Sequence, residues 1–347
     1  MNSLKYTVPI LILISIFGTL PITHADALTD TNYQSYIDFN YEYKSEINTA
    51  KDINLTEIIT DASSYWQTIN DTYLNLQWPI SKINLPALSQ FEEKEPILVA
   101  ILDTGIDKNH EDLRGKVIAE VNFSDSLTSD DLNGHGTFVA GIITANINNG
   151  IGIAGICPNC LLLNVKVVDD DGYCKGSDVA RGIVWATDHG AKVINVSIEL
   201  NIGFRRLEEA VKYAWERGAL VLSAASNQTI APVYPAYYAS CIAVLATDKY
   251  DNDGPLKGYG DWVDVAAPGL AVFSTLPNNG YGYESGTSFA VAHVSALASL
   301  LFSIVEDKNL NGKLNDEVRS AIINGAQKIN ENGIKHINVA ESIYLKE

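Results

Sequence analysis

Three short motifs carry residue types suited to acyl transfer: Asp103-Thr104-Gly105, Gly134-His135-Gly136-Thr137 and Gly286-Thr287-Ser288. Each sets one polar side chain in a glycine-punctuated turn. Cleaving an acyl bond by this route needs a hydroxyl to attack, an imidazole to take its proton and a carboxylate to hold that imidazole in one tautomer. Ser288, His135 and Asp103 supply those groups in the chain order Asp, His, Ser. The α/β-hydrolase order Ser, Asp, His and its Gly-x-Ser-x-Gly elbow are both absent. Asp-Thr-Gly after apolar residues also marks aspartic peptidases, but these need two carboxylates sharing a proton, and the chain has no second such triplet.

Of the six histidines, only His135 sits between glycines at the start of a helical pattern. His110, His189 and His293 read as structural, and no His-Glu-x-x-His cluster suggests zinc. Ser288 alone would read as a helix N-cap; its joint occurrence with Asp103 and His135 makes it a nucleophile candidate.

The elements that must position these groups alternate. Short β-branched runs over 97–102, 160–168, 192–198 and 219–224 read as strands, and stretches opening at His135, Ser177 and Phe204 have helical spacing. A further apolar run over 289–305 reads as a buried helix rather than a membrane span. Near-continuous apolar strands separated by helices imply a mostly parallel sheet covered on both faces, a three-layer α/β sandwich. In such sheets ligands bind beyond the carboxyl ends of the strands. Asp103 is expected to end a strand there, with His135 and Ser288 each opening a helix.

With 347 residues the chain can bury one large core. Its net charge of −18 argues against nucleic acid or an anionic membrane as partner. The N-terminus reads as a secretory leader over 1–25, with Lys5, an apolar stretch and small residues before a cleavage site. Residues 26–75 form a short propeptide or extension, and 76–347 the catalytic domain. The expected location is therefore extracellular or periplasmic, with no membrane attachment once the leader is cut and a monomer as the working unit. Four cysteines permit three pairings: Cys157 and Cys160 could bridge locally, or either could reach Cys174, while Cys241 in an apolar run reads as a buried thiol.

The segments 99–107, 134–141 and 285–294 closely resemble the three signatures of the subtilases, a family of serine peptidases, and especially its thermitase-like branch. Tyr234-Pro235-Ala236-Tyr237-Tyr238 and the stretch 263–269 strengthen the resemblance, which runs from about Leu76 to the C-terminus. It implies a subtilisin-like fold and a secreted endopeptidase acting on polypeptides, made as a zymogen. Asp103 is then the orienting carboxylate, His135 the general base and acid, Ser288 the nucleophile and Asn227 the oxyanion-hole amide. A binding module on the same fold is the alternative of another class; the intact Asp103, His135, Asn227 and Ser288 argue against it.

The resemblance also implies that Ser197, Ile198 and Glu199, with Ala224, Ala225 and Ser226, line the substrate backbone. It implies a structural Ca2+ held by Asp112 and Asn149 side chains and the carbonyls of Ile147, Ile151 and Ile153, with an N-terminal ligand left unplaced. The chain departs from the pattern at Phe289, usually Met, at Ala292, usually Pro, and at Ser226 and Glu199, both usually Gly. Glu199 is expected to narrow a specificity pocket or attract a basic side chain, or else to be a solvated carboxylate at a strand end. A loop from Asp307 to Gly312 has calcium-loop spacing without the closing Glu, and reads as a polar interhelical connection.

Overall fold

The computed structural model describes residues 12–13, 66, 68–85, 95–227, 229–252, 260–329 and 334–344. Apart from residues 12–13, the expected leader and most of the extension to residue 75 lie outside the described residues.

Eleven strands and seven helices suffice to describe the body. Strands β1 (Leu98–Asp103), β2 (Val117–Asn122), β3 (Leu161–Lys166), β4 (Val193–Val196), β5 (Leu220–Ala224), β6 (Cys241–Thr247) and β7 (Val265–Pro268) form a parallel sheet. The hairpin β8 (Val272–Leu276) and β9 (Gly280–Glu284) stands apart, and β10 (Gln327–Lys328) and β11 (Lys335–His336) add a short edge beside β7. The helices are α1 (Trp78–Lys82), α2 (His135–Thr144), α3 (Gly176–Asp188), α4 (Arg205–Glu216), α5 (Thr287–Phe302), α6 (Asn315–Gly325) and α7 (Val339–Tyr344).

The main-sheet order is β10-β11-β7-β6-β5-β4-β1-β3-β2. The chain leaves β1 to build β2 and β3 on one side, then crosses back to lay down β4 to β7 on the other. This reversal makes the carboxyl end of β1 a topological switch point, where a crevice must open.

Strand periodicity sorts the two cores. Val99 and Ile101 of β1 join a cluster with α2 and α5, while Ala100 and Leu102 join the opposite cluster with α3 and α4. Asp103 continues the odd series, so it faces the layer holding the helices that begin at His135 and Thr287. Helix α5 is buried along nearly its whole length, Leu300 being only partly covered. Each Leu or Phe it buries stabilises the body by about 1.5–3 kcal/mol.

The expected strands and helices agree with the observed ones to within a residue or two, except that the helix expected over 289–305 runs from Thr287 to Phe302, and the sheet is mostly parallel and covered on both faces. Cys157 and Cys160 form the local disulfide, and Cys174 and Cys241 are both buried thiols. The 307–312 loop connects α5 to α6, Asp307 accepting from the Asn311 and Gly312 N–H groups at 3.1 and 2.7 Å. No helix among the described residues is long and apolar enough to cross a membrane.

Candidate active site

Asp103 is 1% exposed at the end of β1. Its Oδ1 accepts from the Thr104 N–H at 2.7 Å and meets His135 Nδ1 at 2.7 Å. A carboxylate can only accept, so Nδ1 carries the proton and Nε2 is left with a lone pair. Burial pushes the imidazole down, but the Asp103 charge and hydrogen bond outweigh it, with smaller help from Asp131 and Glu284, so His135 titrates above the ordinary histidine value.

Helix α2 starts where it does because Asp131 gathers its free N–H groups. Asp131 Oδ1 accepts from Thr104 Oγ1 at 2.9 Å and the Gly134 N–H at 2.7 Å, and Oδ2 from the Thr137 N–H at 2.8 Å and its hydroxyl at 2.6 Å. A buried carboxylate at a helix N-terminus also suits the helix dipole. Thr104 Oγ1 in turn accepts the Gly136 N–H at 3.0 Å. The Thr residues of the two motifs are thus joined through Asp131, a residue the sequence reading missed; its place four residues before His135 was the only signal.

Gly136 has a packing reason to be glycine, because a Cβ there would stand 2.0 Å from the Gly105 carbonyl oxygen. The fully buried Lys166, in register with Asp103, completes this side of the crevice. Its Nζ donates to the Thr104 carbonyl, to the Asp130 carbonyl at 2.9 Å and to Asp170 at 2.6 Å.

Ser288 is 6% exposed in the first turn of α5. Its Oγ donates to the Ser197 carbonyl at 3.4 Å, and among the described residues no hydrogen bond joins it to His135. The imidazole packs instead on Phe289, the next residue, with ring centroids 5.4 Å apart. The structure therefore makes the Asp103–His135 pair and places its ring beside the helix start that carries Ser288.

The two predicted substrate segments emerge side by side, since β4 and β5 are paired with Val196 opposite Ser223. Ser197, Ile198, Ala224, Ala225 and Ser226 are buried, and Glu199 and Asn227 half-buried. The Ala225 N–H is already spent on the Val244 carbonyl at 2.8 Å. Asn227 Oδ1 accepts from both the N–H and the hydroxyl of Thr287 at 2.9 Å, which assigns the other side-chain atom as the amide nitrogen. Glu199 is not a solvated carboxylate: Oε2 accepts the Asn227 N–H at 3.2 Å, and the side chain bonds that of Ser226.

Away from the crevice, Asp112 is fully buried. It accepts from Asn149 Nδ2 at 2.8 Å, the Ile153 N–H at 2.8 Å and the Tyr281 hydroxyl at 3.3 Å. Asp71, 5% exposed, holds the N–H groups of Asn148 and Asn149 at 2.9 and 3.2 Å. Burial pushes both carboxyls up, and the Asp71 charge raises Asp112 further. Two buried carboxylates meeting on one loop suit a hard cation. Asp71 also shows that the packed body begins upstream of residue 76, with the Tyr73 N–H bonded to the Gly152 carbonyl at 2.7 Å.

The model of the subtilase family matches residues 94–339. Thermitase of Thermoactinomyces vulgaris is 43% identical over 269 residues, covering 77% of this chain and 94% of that protein. The thermophilic serine proteinase of Bacillus sp. (strain AK1) is 43% identical over 265 residues, covering 76% of this chain and 62% of its own. Subtilisin BL of Lederbergia lenta is 38% identical over 257 residues, covering 74% and 93%. With the family model spanning most of the chain and thermitase matched nearly end to end, the chain belongs to the subtilase family, on its thermitase-like branch, and is a serine endopeptidase.

Proposed function

We propose that Ser288, His135, Asp103 and Asn227 carry out the peptide cleavage in this chain. The observation that carries the reading is the 2.7 Å contact between His135 Nδ1 and Asp103 Oδ1 at the switch-point crevice. Ser288 Oγ turns from the Ser197 carbonyl toward His135 Nε2 and attacks the scissile carbonyl as its proton passes to the imidazole. Catalytic hydrogen bonds that are loose without substrate tighten in the complex. The resulting oxyanion meets Asn227 Nδ2 and the Ser288 N–H, one of the first-turn groups with no acceptor inside the helix. His135 then protonates the leaving amine, and water repeats the sequence on the acyl-enzyme to release the acid and restore Ser288.

Substrate enters as an extended polypeptide lying along 197–199 and 224–226. The chain works as an exported monomer, with residues 1–25 removed and the extension before the folded body acting as a short prosegment. Asp71 and Asp112, with the carbonyls of Ile147, Ile151 and Ile153, would hold a structural Ca2+, and the Asn149 amide would have to turn its oxygen inward in place of the Nδ2 that bonds Asp112. The Asp71 carboxylate supplies the N-terminal ligand that the sequence left open. When bound, the ion neutralises these carboxylates and ties the segment before α1 to the 147–153 loop.

A fluorophosphonate probe tests the assignment. Labelling of the secreted wild type, lost in Ser288→Ala and weakened in His135→Ala, is the expected result. Equal labelling of Ser288→Ala would refute it.

A further inference from the structure

We propose that Glu199 is a positioning residue for the oxyanion loop: its carboxylate clamps the Asn227 N–H and the Ser226 hydroxyl, and so fixes where the Asn227 amide stands beside Ser288. The proposal rests on reading Asn227 as the oxyanion donor.

The clamp follows from how the two strands end. Strands β4 and β5 run parallel and in register, so the segments that follow them, 197–199 and 225–227, leave the sheet as neighbours. The first segment touches the nucleophile directly, through the Ser197 carbonyl and Ser288 Oγ. The second carries Asn227, whose side-chain oxygen is pinned by Thr287. That pin fixes one end of the amide. The backbone end is held by Glu199 Oε2 at 3.2 Å. Ser226, bonded to the same carboxylate, accepts the Thr229 N–H at 3.0 Å and carries the strut further along the loop.

Glu199 and Ser226 stand at the two places where the family resemblance leads one to expect glycine, and here they are partners. Two glycines could make neither bond. Burial pushes the Glu199 carboxyl up, and the two hydrogen bonds act to keep it ionised. A half-buried carboxylate is costly unless donors satisfy it, and a charge-assisted N–H bond is about twice as strong as a neutral one. Oε2 is already engaged by the loop's own Asn227 N–H, so this oxygen serves the loop as well as any substrate. The effect expected is on the reaction step, because a displaced oxyanion donor weakens only what it binds in the transition state.

The test is a double-mutant cycle on the full secreted chain, read as kcat and KM on fluorogenic peptides with varied side chains before the scissile bond. Glu199→Ala should lower kcat about 10- to 100-fold with KM little changed, as misplacement of a catalytic group does. Glu199→Gln, which keeps an acceptor for the Asn227 N–H, should recover most of it. In an Asn227→Ala background, Glu199→Ala should cost no further kcat. If Glu199→Ala fails to accumulate, Glu199→Asp, whose carboxylate is one methylene short of Asn227, carries the same comparison. Equal losses with and without Asn227 would overturn the proposal, as would altered side-chain preference at unchanged kcat. An Asn227→Ala enzyme with normal kcat would instead remove the oxyanion reading itself.

Discussion

Substituting Gly136 by alanine probes the contact between the His135 helix and the Asp103 turn without replacing a reacting group. The added Cβ would lie 2.0 Å from the Gly105 carbonyl oxygen, 3.1 Å from Asp103 Cβ and 3.2 Å from Asp103 Oδ1. The closest clash is with backbone, so no side-chain rotation relieves it. Real Cβ contacts essentially never fall below 3.0 Å, so the helix start must withdraw from the turn by about 1 Å. The His135–Asp103 bond is 2.7 Å long, and a movement of that size takes it past hydrogen-bond range. Misplacement on this scale costs about 100-fold in rate, equivalent to about 2.7 kcal/mol of barrier. The assay is kcat/KM on a peptide substrate, normalised to active sites by stoichiometric phosphonate titration, with the melting temperature measured alongside. The expected result is a folded enzyme with a large loss in kcat/KM. A Gly136→Ala enzyme with wild-type kcat/KM would mean that this packing does not set the dyad.

Three further outcomes follow from the same geometry. Replacing Asp103 by Asn removes the charge that outweighs burial at His135, so the acid limb of the kcat/KM profile should move to lower pH, while kcat falls on the order of 10,000-fold, as when a subtilisin loses this carboxylate; an unmoved limb would count against the assignment of the base. Chelation should lower the melting temperature of the wild type, and Asp71→Asn or Asp112→Asn should abolish that sensitivity; a melting curve indifferent to both calcium and chelator would remove the proposed cation. His293 and His336 are buried with their imidazoles pushed down to about 4, so the unfolded chain binds more protons between that value and the ordinary histidine range. Stability should therefore be full above about pH 6.5 and drain away as pH falls toward about 4, by on the order of 3 kcal/mol per histidine. Thermal melts across that window check it, and a flat curve would mean that neither histidine stays neutral in the folded state.

Much of the site was legible in the chain because its chemistry depends on residue type. A hydroxyl, an imidazole and a carboxylate are a set suited to this work, and small neighbours are required where helix and turn approach closely, as at Gly136. Four of the seven parallel strands were legible too, since a sheet buried on both faces demands unbroken apolar runs such as 98–102, whereas β2, β6 and β7 were not read as strands. The disulfide was not, because three pairings satisfied the same spacings, and proximity of Cys157 to Cys160 is a property of the loop. Asp131 and Lys166 were missed because buried charges are recognisable only through the groups they satisfy, and those groups come from segments far apart in sequence.

The sequence by itself singled out a candidate carboxylate, imidazole and hydroxyl and set Asp103 at the end of a buried strand; the structure adds that strand alternation carries Asp103 onto the face where α2 and α5 pack. Only the tertiary structure decided how those atoms are held. Asp71 and Asp112, far apart in the chain, both bond the 147–153 loop, and Glu199 reaches Asn227 because β4 and β5 end side by side. The physical reason is that residue type and period are local properties, whereas a buried carboxylate is defined by its donors, and folding alone brings donors from distant segments to one place.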